Sequence, residues 1–308
     1  MSTAFHPELA RARFIPKIPI TSRIFRIVPV RRPAAVELPD DMLSEDLTVP
    51  GVDDAHPVQV RVYWPKSLEP GRPALYWMNG GGFVGGTLEQ DEASSLAFAR
   101  ELGITVVAVR YRIAPADPWP AALDDAYAGL RWLFGVAWER GIDATKIAIG
   151  GSSAGGGLAA TLAIYAHDRG EVAPAFQLLR YPMLDDRTVL KKRRDQPNAR
   201  VWQPRDNRYG WTSYLGVAPG SPGVSPYAAA ARREELSGLP PAWLGVGTLD
   251  VFCDEGIEYS KRLNDAGVAC ELEVVPGAFH GFDVLFADTT VGRDFWSAQL
   301  AALRTALG

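Results

Sequence analysis

The sequence predicts an α/β protein in which a mostly parallel sheet is flanked by helices. From about Val58 onward, apolar β-rich runs alternate with longer stretches of helical period, which is the pattern of this class. Several apolar runs are nearly continuous, as is typical of parallel strands covered on both faces. A chain of 308 residues, 47% of them hydrophobic, can bury a large core without disulfides or metals.

Seven strands and five helices are predicted, in alternation along the chain. The strands are expected at residues 58–63, 74–78, 104–109, 146–149, 176–181, 242–246 and 271–275. The helices are expected at residues 92–102, 121–140, 154–167, 255–266 and 292–307. Residues 183–226 break this order, because they are rich in Arg, Asp, Pro and Gly, and we predict an insertion between two strands there.

The charge of the chain argues against a nucleic-acid partner. A net charge of -4 and a pI of about 5.7 provide no basic field. The exception is the basic N-terminal arm, within residues 1–35. This arm could pack on the body of the protein or contact a membrane surface. Its prolines interrupt any long amphipathic helix, and their presence favours packing on the body. No apolar stretch approaches the roughly 20 residues that span a bilayer. No secretory leader is recognised, so a cytoplasmic location is the default expectation.

The strongest local motif is Gly151-Ser152-Ser153-Ala154-Gly155, between a predicted strand and a predicted helix. A nucleophile at the tip of such a turn needs glycines two positions away on each side, because side chains there would collide with the strained backbone. Only Ser153 is centred between two glycines, so it is the predicted nucleophile rather than Ser152.

A serine hydroxyl needs a base, and His280 is the candidate among four histidines. It follows the last predicted strand, where a loop at the carboxyl edge of the sheet would carry it toward Ser153. Asp250, which follows the strand at 242–246, is expected to orient the histidine. When the nucleophile lies on a strand-turn-helix motif of this kind, the acid comes after the serine and before the histidine along the chain, as Asp250 does. Asp254 is the rival, although its place at the start of a helix favours capping.

Three consecutive glycines after the strand at 74–78 predict an oxyanion hole, because their backbone N–H groups are unobstructed by side chains. Gly81 and Gly82 are the expected donors, with the N–H of Ala154 as a third. A phosphate-binding loop is the alternative, but no Gly-Lys-Ser/Thr follows and no dinucleotide fingerprint is present. Neither a metal nor a cofactor is expected.

Several side chains near these loops are candidate walls of a substrate pocket, although aromatic residues are more often plain core. Phe83 and Phe282 are the stronger candidates because they adjoin the catalytic loops. The full set is Phe83, Ser152, Trp202, Trp211, Tyr214 and Phe282.

Together these motifs resemble the hormone-sensitive-lipase-like family of bacterial esterases and lipases. The likeness runs from about Ala74 to the C terminus. It includes Gly-Gly-Gly-Phe at 80–83, Arg-Tyr-Arg-Ile-Ala-Pro at 110–115, Pro-Trp-Pro-Ala-Ala-Leu-Asp-Asp-Ala at 118–126, Gly-Ser-Ser-Ala-Gly-Gly-Gly at 151–157, Leu-Pro-Pro-Ala at 239–242 and His-Gly-Phe at 280–282.

The resemblance implies an α/β-hydrolase fold with an eight-stranded sheet and a small helical cap. The domains would be a cap arm at 1–50 and a catalytic domain at 51–308 that carries a cap insertion at 183–226. The implied triad is Ser153, Asp250 and His280, the implied substrates are small-molecule esters with short to medium acyl chains, and a homodimer through the sheet edge is favoured.

The chain departs from this family at three places, which we interpret as changes in pocket shape and loop support. Asn79 stands where the family usually has His, Ser152 where it has an acidic residue or Thr, and Val251-Phe252 where it has Pro-Leu. Two alternative functions remain open at this point. One is an amidase, lactonase or deacetylase that uses the same triad, and the other is a non-catalytic ligand-binding protein, which the presence of His280 disfavours.

Overall fold

A computed structural model describes residues 4–21, 36–52, 56–67, 69–191 and 197–308. Within these ranges, eight strands form one sheet in the order β1-β2-β4-β3-β5-β6-β7-β8. The pairs β1·β2 and β2·β4 are antiparallel and the others are parallel. The strands are β1 (Met42–Val49), β2 (Val58–Pro65), β3 (Arg72–Met78), β4 (Thr105–Arg110), β5 (Ile142–Ser152), β6 (Phe176–Arg180), β7 (Ala242–Gly247) and β8 (Cys270–Val275).

Seven α-helices accompany the sheet in the described part of the chain. They are α1 (Glu92–Leu102), α2 (Ala121–Val136), α3 (Ala154–Arg169), α4 (Pro204–Leu215), α5 (Cys253–Asp265), α6 (Phe282–Leu285) and α7 (Thr290–Leu307). Two successive side chains of β3 show that helices cover both faces. The hydroxyl of Tyr76 donates to the backbone oxygen of Ala126 in α2, and the ring of Trp77 contacts Phe98 in α1. Since successive strand residues point to opposite faces, α1 and α2 lie on opposite sides of the sheet.

The predicted fold class is confirmed, and the structure adds three elements that the sequence pattern did not predict, namely β1, α4 and the four-residue helix α6, which is too short to show a helical period. Strand β1 was missed because residues Leu43 to Asp46 are exposed and the strand lacks the apolar run of a buried strand. Helix α4 was missed because it lies within the polar insertion. The helix predicted at 121–140 ends earlier, at Val136.

The described N-terminal residues pack on the body of the protein. The backbone N–H of His6 donates to the oxygen of Gly277, 3.0 Å away, and a 3₁₀ segment follows at Pro7–Phe14. Strand β1, within the range predicted as a cap arm, forms one edge of the sheet. Much of the basic arm lies in residues 22–35, outside the described residues, so the division into cap arm and catalytic domain stays a prediction. Among the helices that are described, none has the length and apolar character needed to cross a membrane.

Candidate active site

The turn between β5 and α3 holds Ser153 in a strained backbone conformation, with φ 57° and ψ -118°. The glycines on either side are required by close backbone contacts. A Cβ at Gly155 would lie 2.1 Å from the backbone oxygen of Met78, and a Cβ at Gly151 would lie 2.4 Å from the backbone of Gly155. The backbone N–H of Ser153 donates to the oxygen of Arg180 at 2.9 Å, which ties the turn to the end of β6.

Two short hydrogen bonds join the predicted nucleophile, base and acid. The Oγ of Ser153 lies 2.9 Å from Nε2 of His280, and Nδ1 of that ring lies 2.7 Å from Oδ2 of Asp250. All three side chains are buried, with Asp250 only 1% exposed. Sequence positions 153, 250 and 280 therefore converge at the carboxyl edge of the sheet.

The environment of His280 fixes the orientation of its ring. The rings of Tyr181 and Phe252 both contact it edge-on, with centroids 4.7 Å and 5.2 Å away. The other carboxylate oxygen of Asp250, Oδ1, accepts the backbone N–H of Phe252 at 3.0 Å. Asp254, the rival acid, lies on the exposed side of the first turn of α5.

The glycine loop after β3 lies beside Ser153. A Cβ at Gly80 would lie 3.4 Å from the Cβ of Ser153. Gly81 and Gly82 have φ values of 135° and 62°, which favour glycine. Over the described residues, no acceptor pairs with the backbone N–H of Gly81, Gly82 or Ala154. These N–H groups are therefore free to bind an oxyanion.

Asn79 supports this loop in place of the histidine that the resemblance leads one to expect. Its side-chain amide donates to the backbone oxygen of Gly80 at 2.8 Å, and its own backbone oxygen accepts the hydroxyl of Tyr111 at 2.7 Å. A neutral amide thus holds the loop without contributing a titratable group.

The predicted pocket residues are all buried, and they differ in whether they pack beside the glycine loop or away from it. Phe83 stacks on Tyr214 with 3.8 Å between ring centroids and lies 6.0 Å from the ring of Trp211, so these three side chains meet next to the glycine loop. Trp202 packs so closely on Gly82 that a Cβ there would lie 2.0 Å from its ring. Phe282, by contrast, packs on Phe295 of α7.

The side chain of Ser152 points to a buried carboxylate that sequence reasoning missed. Its hydroxyl donates to Oδ2 of Asp91 at 2.9 Å, and the indole N–H of Trp77 donates to the same oxygen at 2.9 Å. Arg180, only 1% exposed, lies nearby. An arginine directly after two leucines in a predicted strand was the available signal for this cluster. Asp91 had none, because an acid at the start of a helix is common.

The described residues contain no group of three or more His, Cys, Asp or Glu side chains arranged to hold a metal ion. The arrangement instead offers a serine, a base, an acid and unpaired backbone donors. This set of groups can perform acyl transfer without added groups.

Comparison with known proteins supports this chemistry. Residues 75–284 match the model of a family described by the alpha/beta hydrolase fold. The carboxylesterase NlhH of Mycobacterium tuberculosis is 34% identical over 273 residues, which cover 88% of this chain and 85% of that protein. The ethyl acetate hydrolase of Pseudomonas putida is 33% identical over 232 residues, covering 74% of this chain and 72% of that protein.

Esterases of known structure also superpose closely on this chain. A bacterial heroin esterase superposes with a TM-score of 0.92 at 38% identity, covering 99% of this chain and 98% of that chain. The esterase LipW of Mycobacterium marinum superposes with a TM-score of 0.78 at 36% identity, covering 86% of this chain and 82% of that chain.

Proposed function

The chain belongs to the hormone-sensitive-lipase-like esterases of the alpha/beta hydrolase fold, and on that premise we propose that it is a serine carboxylesterase with Ser153 as its nucleophile. The observation that carries the proposal is the pair of hydrogen bonds that joins Ser153 to His280 and His280 to Asp250. The two bonds lie beside a glycine loop with unpaired N–H groups.

In the acylation step, Nε2 of His280 accepts the hydroxyl proton of Ser153 while Oγ attacks the ester carbonyl carbon. The carboxylate of Asp250 stabilises the imidazolium that forms. The carbonyl oxygen becomes an oxyanion and accepts hydrogen bonds from the N–H groups of Gly81, Gly82 and Ala154. The C–O bond to the alcohol then breaks, and the imidazolium gives its proton to the departing alkoxide, leaving an acyl-serine.

Deacylation repeats these steps with water as the nucleophile. His280 takes a proton from the water as its oxygen attacks the acyl carbon, and the same backbone donors stabilise the second oxyanion. Collapse of this intermediate returns the proton to Oγ of Ser153 and releases the carboxylic acid. The position of Ser153 at the N terminus of α3 favours both anionic intermediates.

Small esters with short to medium acyl chains are the proposed substrates. Close packing beside the glycine loop supports this choice, because the rings of Phe83, Trp211 and Tyr214 are in contact and at most 1% exposed, which leaves no space among them for a long acyl chain. The name of the ethyl acetate hydrolase, a relative, points the same way.

The test is hydrolysis of p-nitrophenyl esters from acetate to palmitate by the wild-type protein and its Ser153→Ala variant. We expect turnover of the short esters, falling as the acyl chain lengthens, and loss of that turnover in the variant. A folded wild-type protein that hydrolyses no ester would overturn the proposal and direct the search to amides, lactones or binding without turnover.

A further inference from the structure

Three buried charges form a chain behind the catalytic residues. The guanidinium of Arg180 lies between two carboxylates, with Nη1 3.3 Å from Oδ2 of Asp283 and Nη2 3.8 Å from Oδ2 of Asp91. All three side chains are less than a tenth exposed. Arg180 also lies over the ring of Trp77, 5.1 Å from its centroid. We call Asp91, Arg180 and Asp283 the buried ionic chain.

One end of the buried ionic chain contacts the Ser153 turn. Oδ2 of Asp91 accepts the hydroxyl of Ser152, the residue before the nucleophile. Arg180 is paired with Ser152 across β5 and β6, and its backbone oxygen accepts the N–H of Ser153. The side chain of Ser152 and the backbone of Ser153 are therefore both held in place by hydrogen bonds.

The other end contacts the loop that carries His280. Asp283 lies three residues after His280, in the short helix α6. Arg180 also lies over the ring of Tyr181, with 5.6 Å to the centroid, and that ring contacts His280 edge-on. The buried ionic chain thus connects the segment of the nucleophile to the segment of the base.

Burial of one arginine with two carboxylates has a high desolvation cost, and buried ion pairs are often no more stabilising than apolar residues of similar size. Their best-attested use is to fix a particular geometry. The geometry at stake is the 2.9 Å separation of Ser153 Oγ and His280 Nε2, because displacement of a reacting group by about 1 Å can cost about 100-fold in rate.

We propose that the buried ionic chain is a positioning unit, which holds the Ser153 turn and the His280 loop at the separation required for proton transfer. Asp91, Arg180 and Asp283 are positioning residues and do not touch the substrate. The inference rests on the proposed role of Ser153 as the nucleophile.

The test compares wild type and Asp91→Asn by two measurements. The fraction of chains labelled at completion by diethyl p-nitrophenyl phosphate counts folded, reactive sites, and kcat/KM on p-nitrophenyl acetate reports acylation. We expect Asp91→Asn to take about one label per chain and to lower kcat/KM about 10- to 100-fold.

Asp186→Asn is the matched control. Asp186 is fully buried and paired with Arg232 at 2.8 Å, so its substitution also breaks a buried ion pair, but one that does not contact the triad. We expect this variant to lower Tm and to acylate within about twofold of the wild-type rate.

A double variant tests whether the carboxylate itself is what matters. Asp91→Ser with Ser152→Asp exchanges the two partners across the same 2.9 Å contact and keeps the combined side-chain length. We expect acylation to recover to within about threefold of wild type, which a loss of general stability would not allow.

Several results would overturn the inference. Asp91→Asn could keep the wild-type kcat/KM, or could lose only the fraction of chains that take the label, in parallel with Tm, as expected of a structural role. If Asp91→Asn does not fold, Ser152→Ala decides: a kcat/KM at least about threefold lower with full labelling supports the inference, and an unchanged kcat/KM refutes it. Failure of the proposed function would look different, because the wild-type protein would then hydrolyse no ester and take no label.

Discussion

At the scale of single residues, Asp250 determines the protonation pattern of the proposed triad. A carboxylate 2.7 Å from Nδ1 of His280 accepts a proton held on that nitrogen. Nε2 is then the unprotonated nitrogen and can accept the hydroxyl proton of Ser153.

Asp250→Asn is expected to reduce kcat about 10³- to 10⁴-fold with KM within about threefold, because an amide can donate to Nδ1 and so favour the wrong tautomer. Steady-state kinetics on p-nitrophenyl acetate measures this. Asp254→Asn is the matched control, and its kcat should stay within about twofold of wild type. The reverse result for the two variants would assign the role to Asp254.

Gly82→Ala is expected to reduce kcat at least about 100-fold, because the added Cβ would lie 2.0 Å from the ring of Trp202 and displace the loop that offers the oxyanion N–H groups. Gly71→Ala controls for backbone strain. Its φ of 77° is equally unfavourable for alanine, but nothing lies within 4 Å of the added atom, so stability should fall while kcat is kept. Equal kcat in the two variants would contradict the proposed oxyanion hole.

The meeting of Ser153, Asp250 and His280, the proposed triad, could be predicted from the sequence because each residue belongs to a local motif or follows a predicted strand. The buried ionic chain could not, because it depends on contacts between distant positions. Asp91 and Ser152 are 61 residues apart. Only the fold brings the two side chains together, and short-range patterns carry no information about such a pair.

At the scale of elements, helix α5 is anchored to the segment after β6 by a buried carboxyl group. Glu255, only 3% exposed, accepts the backbone N–H groups of Leu184 and Asp185 and the hydroxyl of Thr188. Burial raises the pKa of Glu255 from 4.5 to about 8, despite these hydrogen bonds. The folded protein therefore binds this proton more tightly than the unfolded chain.

This pKa shift predicts a pH dependence of stability. The contribution of Glu255 is fully present below about pH 4.5 and is lost as the pH rises toward about 8, so its effect is to lower Tm across that interval. Glu255→Gln should remove this part of the pH dependence, whereas Glu258→Gln, on the exposed side of the same helix, should retain it. Thermal melts of wild type, Glu255→Gln and Glu258→Gln at several pH values measure this. Parallel curves of Tm against pH for all three proteins would show that Glu255 does not cause this pH dependence.

The parallel strands β3, β4, β6 and β7 could be predicted because most of their residues are buried, so their largely apolar side chains form nearly continuous runs. Strand β1 and helix α4 could not, for a common reason. Both expose polar side chains over much of their length, and their structure depends on tertiary contacts, such as the pairing of β1 with β2 and the contact of Trp211 with Phe83.

At the scale of the whole molecule, the described N-terminal residues are held by the insertion at 183–226. The guanidinium of Arg200 donates to the backbone oxygen of Ala12 at 2.9 Å and of Arg13 at 3.3 Å. Oδ1 of Asp206 accepts the N–H of Ile20 at 3.0 Å. These contacts join the two segments that the resemblance assigns to a cap.

Arg200→Ala is expected to release the N-terminal residues, because the two carbonyl groups lose their donor. Trypsin should then cut after Arg11, Arg13 or Lys17 at least about fivefold faster than in wild type. Arg208→Ala removes an exposed arginine that donates to the backbone oxygen of Val189, and it should leave the cleavage rate unchanged. Equal cleavage of both variants would show that Arg200 does not hold the arm.

The central claim, that Ser153 is the nucleophile, is tested most directly by covalent labelling with diethyl p-nitrophenyl phosphate and mass spectrometry. We predict one phosphoryl adduct per chain in wild type and in Ser152→Ala, assigned to Ser153 by fragmentation of its peptide, and no adduct in Ser153→Ala. An adduct on Ser152, or labelling that persists in folded Ser153→Ala, would contradict the account.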